Sequence, residues 1–300
     1  MKKIYLIIAY ILTHVAYIVA QNEIVIQDDD LVGGVETTWT ADNVYVLDGY
    51  VFLEDGGKLT IEPGTIIKGM STPSSADPAS ALIISRGAQI FAEGTAEAPI
   101  IFTTSLDDTN DDTDLLPTDR GLWGGLVVLG KAPGGFKNEA IEFNIEGIPT
   151  EGYGDKALYG GDVSDDNSGI IRYISIRHGG AAIAPDNEIN GLTLGGVGSG
   201  TTIEYVEIFA NADDGIEWFG GTVNVKYMVS AFCGDEAFDY DQSWAGKGQF
   251  MFSITGDDTG ERGFEIDGSE APSLNPKTVP VFSNITQIGA GLGSPVTNND

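Results

Sequence analysis

Carboxylates dominate the residues that could do chemistry. From Glu204 to Asp267 there are 14 acidic residues and three basic ones. Six of the acids recur at one spacing: Asp213, Asp214 and Glu217 are followed 22 residues later by Asp235, Glu236 and Asp239. If the two segments stack as neighbouring strands about 4.8 Å apart, their like charges repel. Three readings answer that repulsion. The acids are solvated turn residues, or they hold Ca²⁺, an ion that prefers oxygen ligands. The third is that one member of each pair keeps its proton, which is how acid/base carboxylates arise. The metal reading assigns Asp213, Asp214, Asp235 and Glu236; the acid/base reading assigns Glu217 and Asp239.

A second acidic stretch lies at Asp107–Asp114. Asp108, Asn110, Asp112 and Asp114 alternate, so their side chains can converge on one Ca²⁺. The loop lacks the central Gly and terminal Glu of an EF-hand. Asp162, Asp165, Asp166 and Asn167 form a weaker cluster of the same type. For nitrogen chemistry the choices are few. The arginines near this region are Arg172, Arg177 and Arg262. His178 at a strand end reads as structural. The single cysteine, Cys233, sits in an apolar stretch and reads as a small buried hydrophobe. Among the aromatics, Trp123, Trp218 and Tyr240 have apolar neighbours and read as core. Trp244 lies in the loop-like Gln242–Gly248 stretch and is the expected sugar-stacking surface residue.

Short strands must position these groups. Forty-one glycines separate apolar runs of β character, such as Val44–Leu47, Val51–Leu53, Leu59–Ile61 and Thr65–Ile67. No amphipathic helix follows residue 20. The 22-residue repeat extends beyond the acids: Ile203–Trp218 aligns without a gap on Val225–Tyr240, setting Tyr205 on Tyr227 and Trp218 on Tyr240. Ile171–His178 is an upstream copy of the first half, and Val281–Ile288 a downstream echo. That period suits one coil of a parallel β-helix. Irregular stretches such as Ala182–Gly200 become loops on one face.

The chain ends bound the setting. Met1-Lys2-Lys3, an apolar run to Ala20 and a polar start at Asn22 predict a secretory signal peptide over 1–20. A segment over 21–39 then leads into a β-helix domain over 40–300. The net charge is −30. Such a surface disfavours nucleic acid and anionic membranes. No later run is apolar enough to insert in a bilayer.

The runs Leu59–Gly69, Gly121–Gly125, Ile174–Gly180, Asn190–Gly198 and Asp213–Gly221 resemble those of secreted, pectate-lyase-like β-helix proteins of Bacteroidota. The resemblance implies an all-β, right-handed parallel β-helix, shown on the cell surface or released, often with a C-terminal sorting domain. This sequence stops at Asn298-Asn299-Asp300 without one, so a fragment, or a chain lacking that domain, is expected. The expected function is adhesion, or binding of an extracellular glycan or surface protein, with Ca²⁺ as stabiliser and no catalysis. The alternative is a Ca²⁺-dependent carbohydrate-active enzyme, a lyase or glycoside hydrolase, working through Glu217, Asp239 and Arg177.

Overall fold

In a computed structural model the chain forms a parallel β-helix. The structure describes residues 21–184, 187–271, 273 and 279–291. The proposed signal peptide lies outside them. Among the described residues the helical turns are short 3₁₀ segments, and no helix is long and apolar enough to cross a membrane.

The early coils have three faces. One carries strands Glu36–Trp39, Lys58–Ile61 and Gln89–Glu93, paired in parallel. The next carries Asn22–Ile26, Asn43–Leu47, Ile66–Gly69 and Ile100–Thr104. The third carries Tyr50–Leu53, Ala81–Ile84, Leu126–Leu129, Leu192–Gly195, Ile216–Phe219, Phe238–Asp241 and Glu265–Ile266. Residues 22–39 therefore already contribute two strands to the solenoid. Parallel strands buried on one side by their own coil and on the other by loops read as near-continuous apolar runs. Tyr50–Leu53, Ala81–Ile84 and Leu126–Leu129 are buried throughout.

The first two faces fuse partway along. Gly169–Arg177 pairs with Gln89–Glu93 through its first half and with Ile100–Thr104 through its second. From there each coil has one long strand: Thr202–Phe209, Asn224–Ala231, Lys247–Ile254 and Val281–Ile288. The turn that separated the faces, Glu62-Pro63-Gly64 in an early coil, shrinks to one left-handed residue per coil. These residues are Tyr173, Tyr205, Tyr227, Phe250 and Asn284, with φ between 49° and 58°. A non-glycine residue there costs about 1–2 kcal/mol. The four aromatics offset it by stacking, with ring centroids 4.3, 4.3 and 5.0 Å apart and planes within 12° of parallel.

The 22-residue repeat is a structural coil: Ile203 pairs with Val225, and Glu217 with Asp239. The interior holds Trp39, Trp123, Trp218, Trp244 and a continuous aliphatic ladder. Two insertions leave this frame. One runs from Gly130 to Ser168 and contains the two-residue pair Phe143–Asn144 with Leu158–Tyr159. The other, from Ala182 to Gly191, is shorter than the sequence suggested, because Leu192–Gly195 belongs to the third face. Both pack through Ile145, Ile148, Tyr159 and Ile189 onto the outer side of that face, around Tyr50, Phe52 and Val127.

Candidate functional site

Each late coil turns from its long strand to the third face through a corner. His178, Ala210 and Phe232 take left-handed φ values of 59°, 54° and 59° at its start. The chain then runs through Asp213-Asp214-Gly215 in one coil and Asp235-Glu236-Ala237 in the next. Parallel pairing places these corners one above the other, so the sequence repeat becomes a spatial carboxylate ladder. Gly180 lines the site from the coil above, at φ +90°. A Cβ there would sit 2.4 Å from the Ala212 nitrogen, so only glycine lets the corners close up.

The result is a cleft of 520 Å³. Eight carboxylates line it: Glu146, Glu188, Asp213, Asp214, Glu217, Asp235, Glu236 and Glu265. No Lys, Arg or His is among the lining residues. Three overlapping triads each bring one oxygen per residue within 4.8 Å: Asp213/Asp214/Asp235, Asp214/Glu217/Asp239 and Asp235/Glu236/Glu261. The last has a cation of its own, since Arg262 lies 2.8 Å from Glu236, 3.2 Å from Glu261 and 3.5 Å from Glu265. Clusters of this composition can bind a metal ion, and an all-oxygen donor set suits a hard one.

The electrostatics follow from crowding. Burial, then Asp235, Glu188 and Glu146, push the Asp213 carboxyl up to about 7. Glu146, though exposed, is pushed up to about 7 by partial desolvation and by Glu188, Asp239 and Asp241 nearby. Asp239 rises to about 6, chiefly by burial. Asp214 and Glu217 are held well above the usual carboxylate range by burial and by neighbouring acids. Glu217 and Asp239 share a hydrogen bond, and Asn190 Nδ2 donates to Glu217 Oε2. Asp214 also has a structural duty: its Oδ1 accepts the Glu236 N–H at 2.9 Å, tying one corner to the next.

The ladder therefore assembles Asp213, Asp214, Asp235, Glu236, Glu217 and Asp239 in one place. Other expected residues lie elsewhere. Arg177 lines a separate groove of 700 Å³ with the 109–117 loop, His178 and Glu207. Its Nε donates to Ser175 Oγ at 2.8 Å. It does not meet Glu217 and Asp239, so the three do not form one catalytic set. In the 107–114 loop the carboxylates serve the loop itself. Asp108 Oδ1 accepts from the Asn110 backbone and side chain, and Asp114 Oδ2 accepts the Asp108 N–H. Asp108, Asp112 and Asp114 are not among the groups of converging carboxylates in the described residues. Asp166 and Asn167 likewise accept the Lys131 and Gly169 N–H groups.

Trp244 corrects the expectation of a sugar-stacking surface residue. Its side chain is fully buried and stacks on Trp218 at 4.8 Å. Its Nε1 donates to the Val223 carbonyl. The Gln242-Ser243 pair, both left-handed, turns the chain sharply and drives the indole inward. All four tryptophans are core residues. His178 is buried, with Nδ1 donating to the Asp119 carbonyl at 2.6 Å. Cys233 is buried beside Ser230, and burial pushes its thiol up to about 11.

Sequence reasoning missed Glu146 and Glu188. Both come from the insertions, outside the repeat that made the ladder visible. The signal that could have found them is local: each is an acid beside apolar residues, Ile145 and Ile148 for one, Ile189 for the other.

A family model described as "Pectate-lyase like beta helix domain" matches residues 32–297. No curated protein and no solved structure matches the chain.

Proposed function

The chain belongs to the pectate-lyase-like β-helix domain family, and on that premise we propose that it is a secreted or cell-surface binding module, acting in adhesion without catalysis and stabilised by Ca²⁺ in the acidic cleft. Its partner is an extracellular glycan or a surface protein. The signal-peptide pattern over Met1–Ala20 supports export, and the charge of −30 supports an extracellular, cation-rich milieu.

The observation that carries the reading is the cleft of eight carboxylates with no basic side chain in its lining. Arg262 offsets Glu236 and Glu265 at one end of the cleft, and a divalent cation would offset the remaining carboxylates. A bound cation also lets a strongly acidic protein meet an anionic glycan, which it otherwise repels.

One observation favours the enzyme reading. Glu217 and Asp239 are neighbouring carboxyls with raised pKa values, the pattern of an acid/base pair. Their placement weighs against it. A glycosidase needs its two carboxyls about 5–9 Å apart with the sugar between them. Here they hydrogen-bond to each other, and Glu217 is buried. The test is a binding and turnover screen of neutral and acidic glycans, with Ca²⁺ and with chelator. Ca²⁺-dependent retention without new reducing or unsaturated ends is expected. Product release that Glu217→Gln abolishes would establish the enzyme instead.

A further inference from the structure

The last three long strands, Asn224–Ala231, Lys247–Ile254 and Val281–Ile288, contain no Asp or Glu and two lysines, Lys226 and Lys247. In a chain with 45 acids that is an unusual gap. The acids of the same coils sit instead on the corners and the third face, as Asp235, Glu236, Asp239 and Glu265 do.

The outer side of these strands is also apolar. Tyr227 is 36 %, Phe250 41 % and Ile288 47 % exposed. Val229, Phe252 and Ile254 are half-buried beside them. Tyr227 and Phe250 line one wall of a cavity of 340 Å³, and Val229 and Phe252 also line it, with Glu207 at its margin. The two insertions cover the third face instead. The 107–117 loop lies against earlier coils, at Arg177, Glu207 and Phe209. A contiguous exposed apolar face on a soluble protein marks an interaction surface. Asn224–Ala231 and Lys247–Ile254 are hydrogen-bonded to strands on both sides. The face therefore offers side chains, as in the packing of one sheet on another, and not an open edge.

We propose that two copies of the chain pack face to face through this acid-free side, as an isologous dimer. Two bodies of charge −30 repel through any acidic surface, which leaves this face as the approach of least repulsion. The area is sufficient. At about 3.3 Å per residue and about 4.8 Å between strands, these three strands and the neighbouring Thr202–Phe209 project roughly 500 Å² on each copy, so a pair buries about 1,000 Å², where specific interfaces begin. The two glutamates of that fourth strand are already engaged: Glu204 lies 3.9 Å from Arg172, and Glu207 accepts from Ser175 Oγ at 2.6 Å. Lys226 and Lys247 give the contact a positive margin between two acidic bodies. The dimer presents two acidic clefts, which suits a module that gains from avidity.

The experiment is sedimentation equilibrium of the full chain at low and high NaCl, for wild type, F250D, F252D and I141D. Ile141 is the control, an exposed apolar residue on an insertion, away from this face. Wild type and I141D are expected to dimerise at micromolar concentration, more tightly at high salt because the repulsion is screened. F252D, and F250D with it, should weaken the dimer about ten-fold or more. Radical footprinting of wild type, which needs no variant to fold, should show Tyr227 and Phe250 shielded at high protein concentration and open on dilution. A wild type that stays monomeric up to about 100 µM at both salts overturns the proposal and leaves the face to another partner. A dimer that F250D and F252D leave intact, with Tyr227 and Phe250 unshielded, overturns it as well.

Discussion

Glu217 shows what the ladder demands of a single residue. It is buried, bonded to Asn190 and to Asp239, and its carboxyl is held well above the usual range. Gln at this position mimics the protonated form, keeps an acceptor for Asn190 and offers a donor to Asp239. Glu217→Gln is therefore expected to raise the unfolding midpoint of the metal-free protein and to shrink the gain on adding calcium, both read by thermal melts. A metal-free midpoint that falls would mean the charge is tolerated without an ion. Trp244 makes the opposite case. Trp244→Ala is expected to cost about 3–5 kcal/mol in urea unfolding, since the side chain fills the core between Trp218, Tyr240 and Phe282. A loss of ligand binding with stability intact would restore it as a surface residue.

At the scale of elements, the aromatic ladder replaces a corner. Tyr205 stacks on Tyr173 and on Tyr227, so Tyr205→Ala removes two contacts while leaving the left-handed backbone strained. The expected loss is about 1–3 kcal/mol, measured by denaturant unfolding. The carboxylate corners give a pH dependence of definite sign. Asp213 is pushed up to about 7 and Asp239 to about 6, against unfolded values of about 4. Between those limits the folded chain binds more protons than the unfolded one, so stability falls as pH rises through the window. In chelator the unfolding midpoint is expected to climb from pH 8 down to pH 5. A flat or opposite profile would show that the cleft is not carrying these charges.

Part of this was legible in the sequence and part was not, for identifiable reasons. The coil spanning Ile203 to Tyr240 could be read because two copies align without a gap, and the structure pairs them residue for residue. The next coil, Lys247–Ile254, was missed. Gly248 stands where Val225 stands in the preceding coil, and its core space is taken by Met251 and Phe282 instead of a side chain of its own. That substitution made the Gln242–Gly248 stretch look like loop and exposed Trp244 on paper. The ladder of acids was found for the same reason as the coil, by repetition. Glu146 and Glu188 were not, because insertions carry no period and only the packing of Ile145, Ile148 and Ile189 brings them back to the repeat.

For the whole molecule, stability is a sum of coil-to-coil contacts, and the acidic corners are a standing repulsion along one edge. The central claim is that a hard divalent cation offsets it. Thermal unfolding of the full chain, with calcium and with chelator at matched ionic strength, tests this most directly. Calcium at about 100 times its dissociation constant contributes about 2.7 kcal/mol, which for a domain of this size is a rise of about 5 °C. That rise is the expected result, reduced in Asp214→Asn. An identical midpoint with calcium and with chelator would contradict the account and leave the ladder as solvated turns.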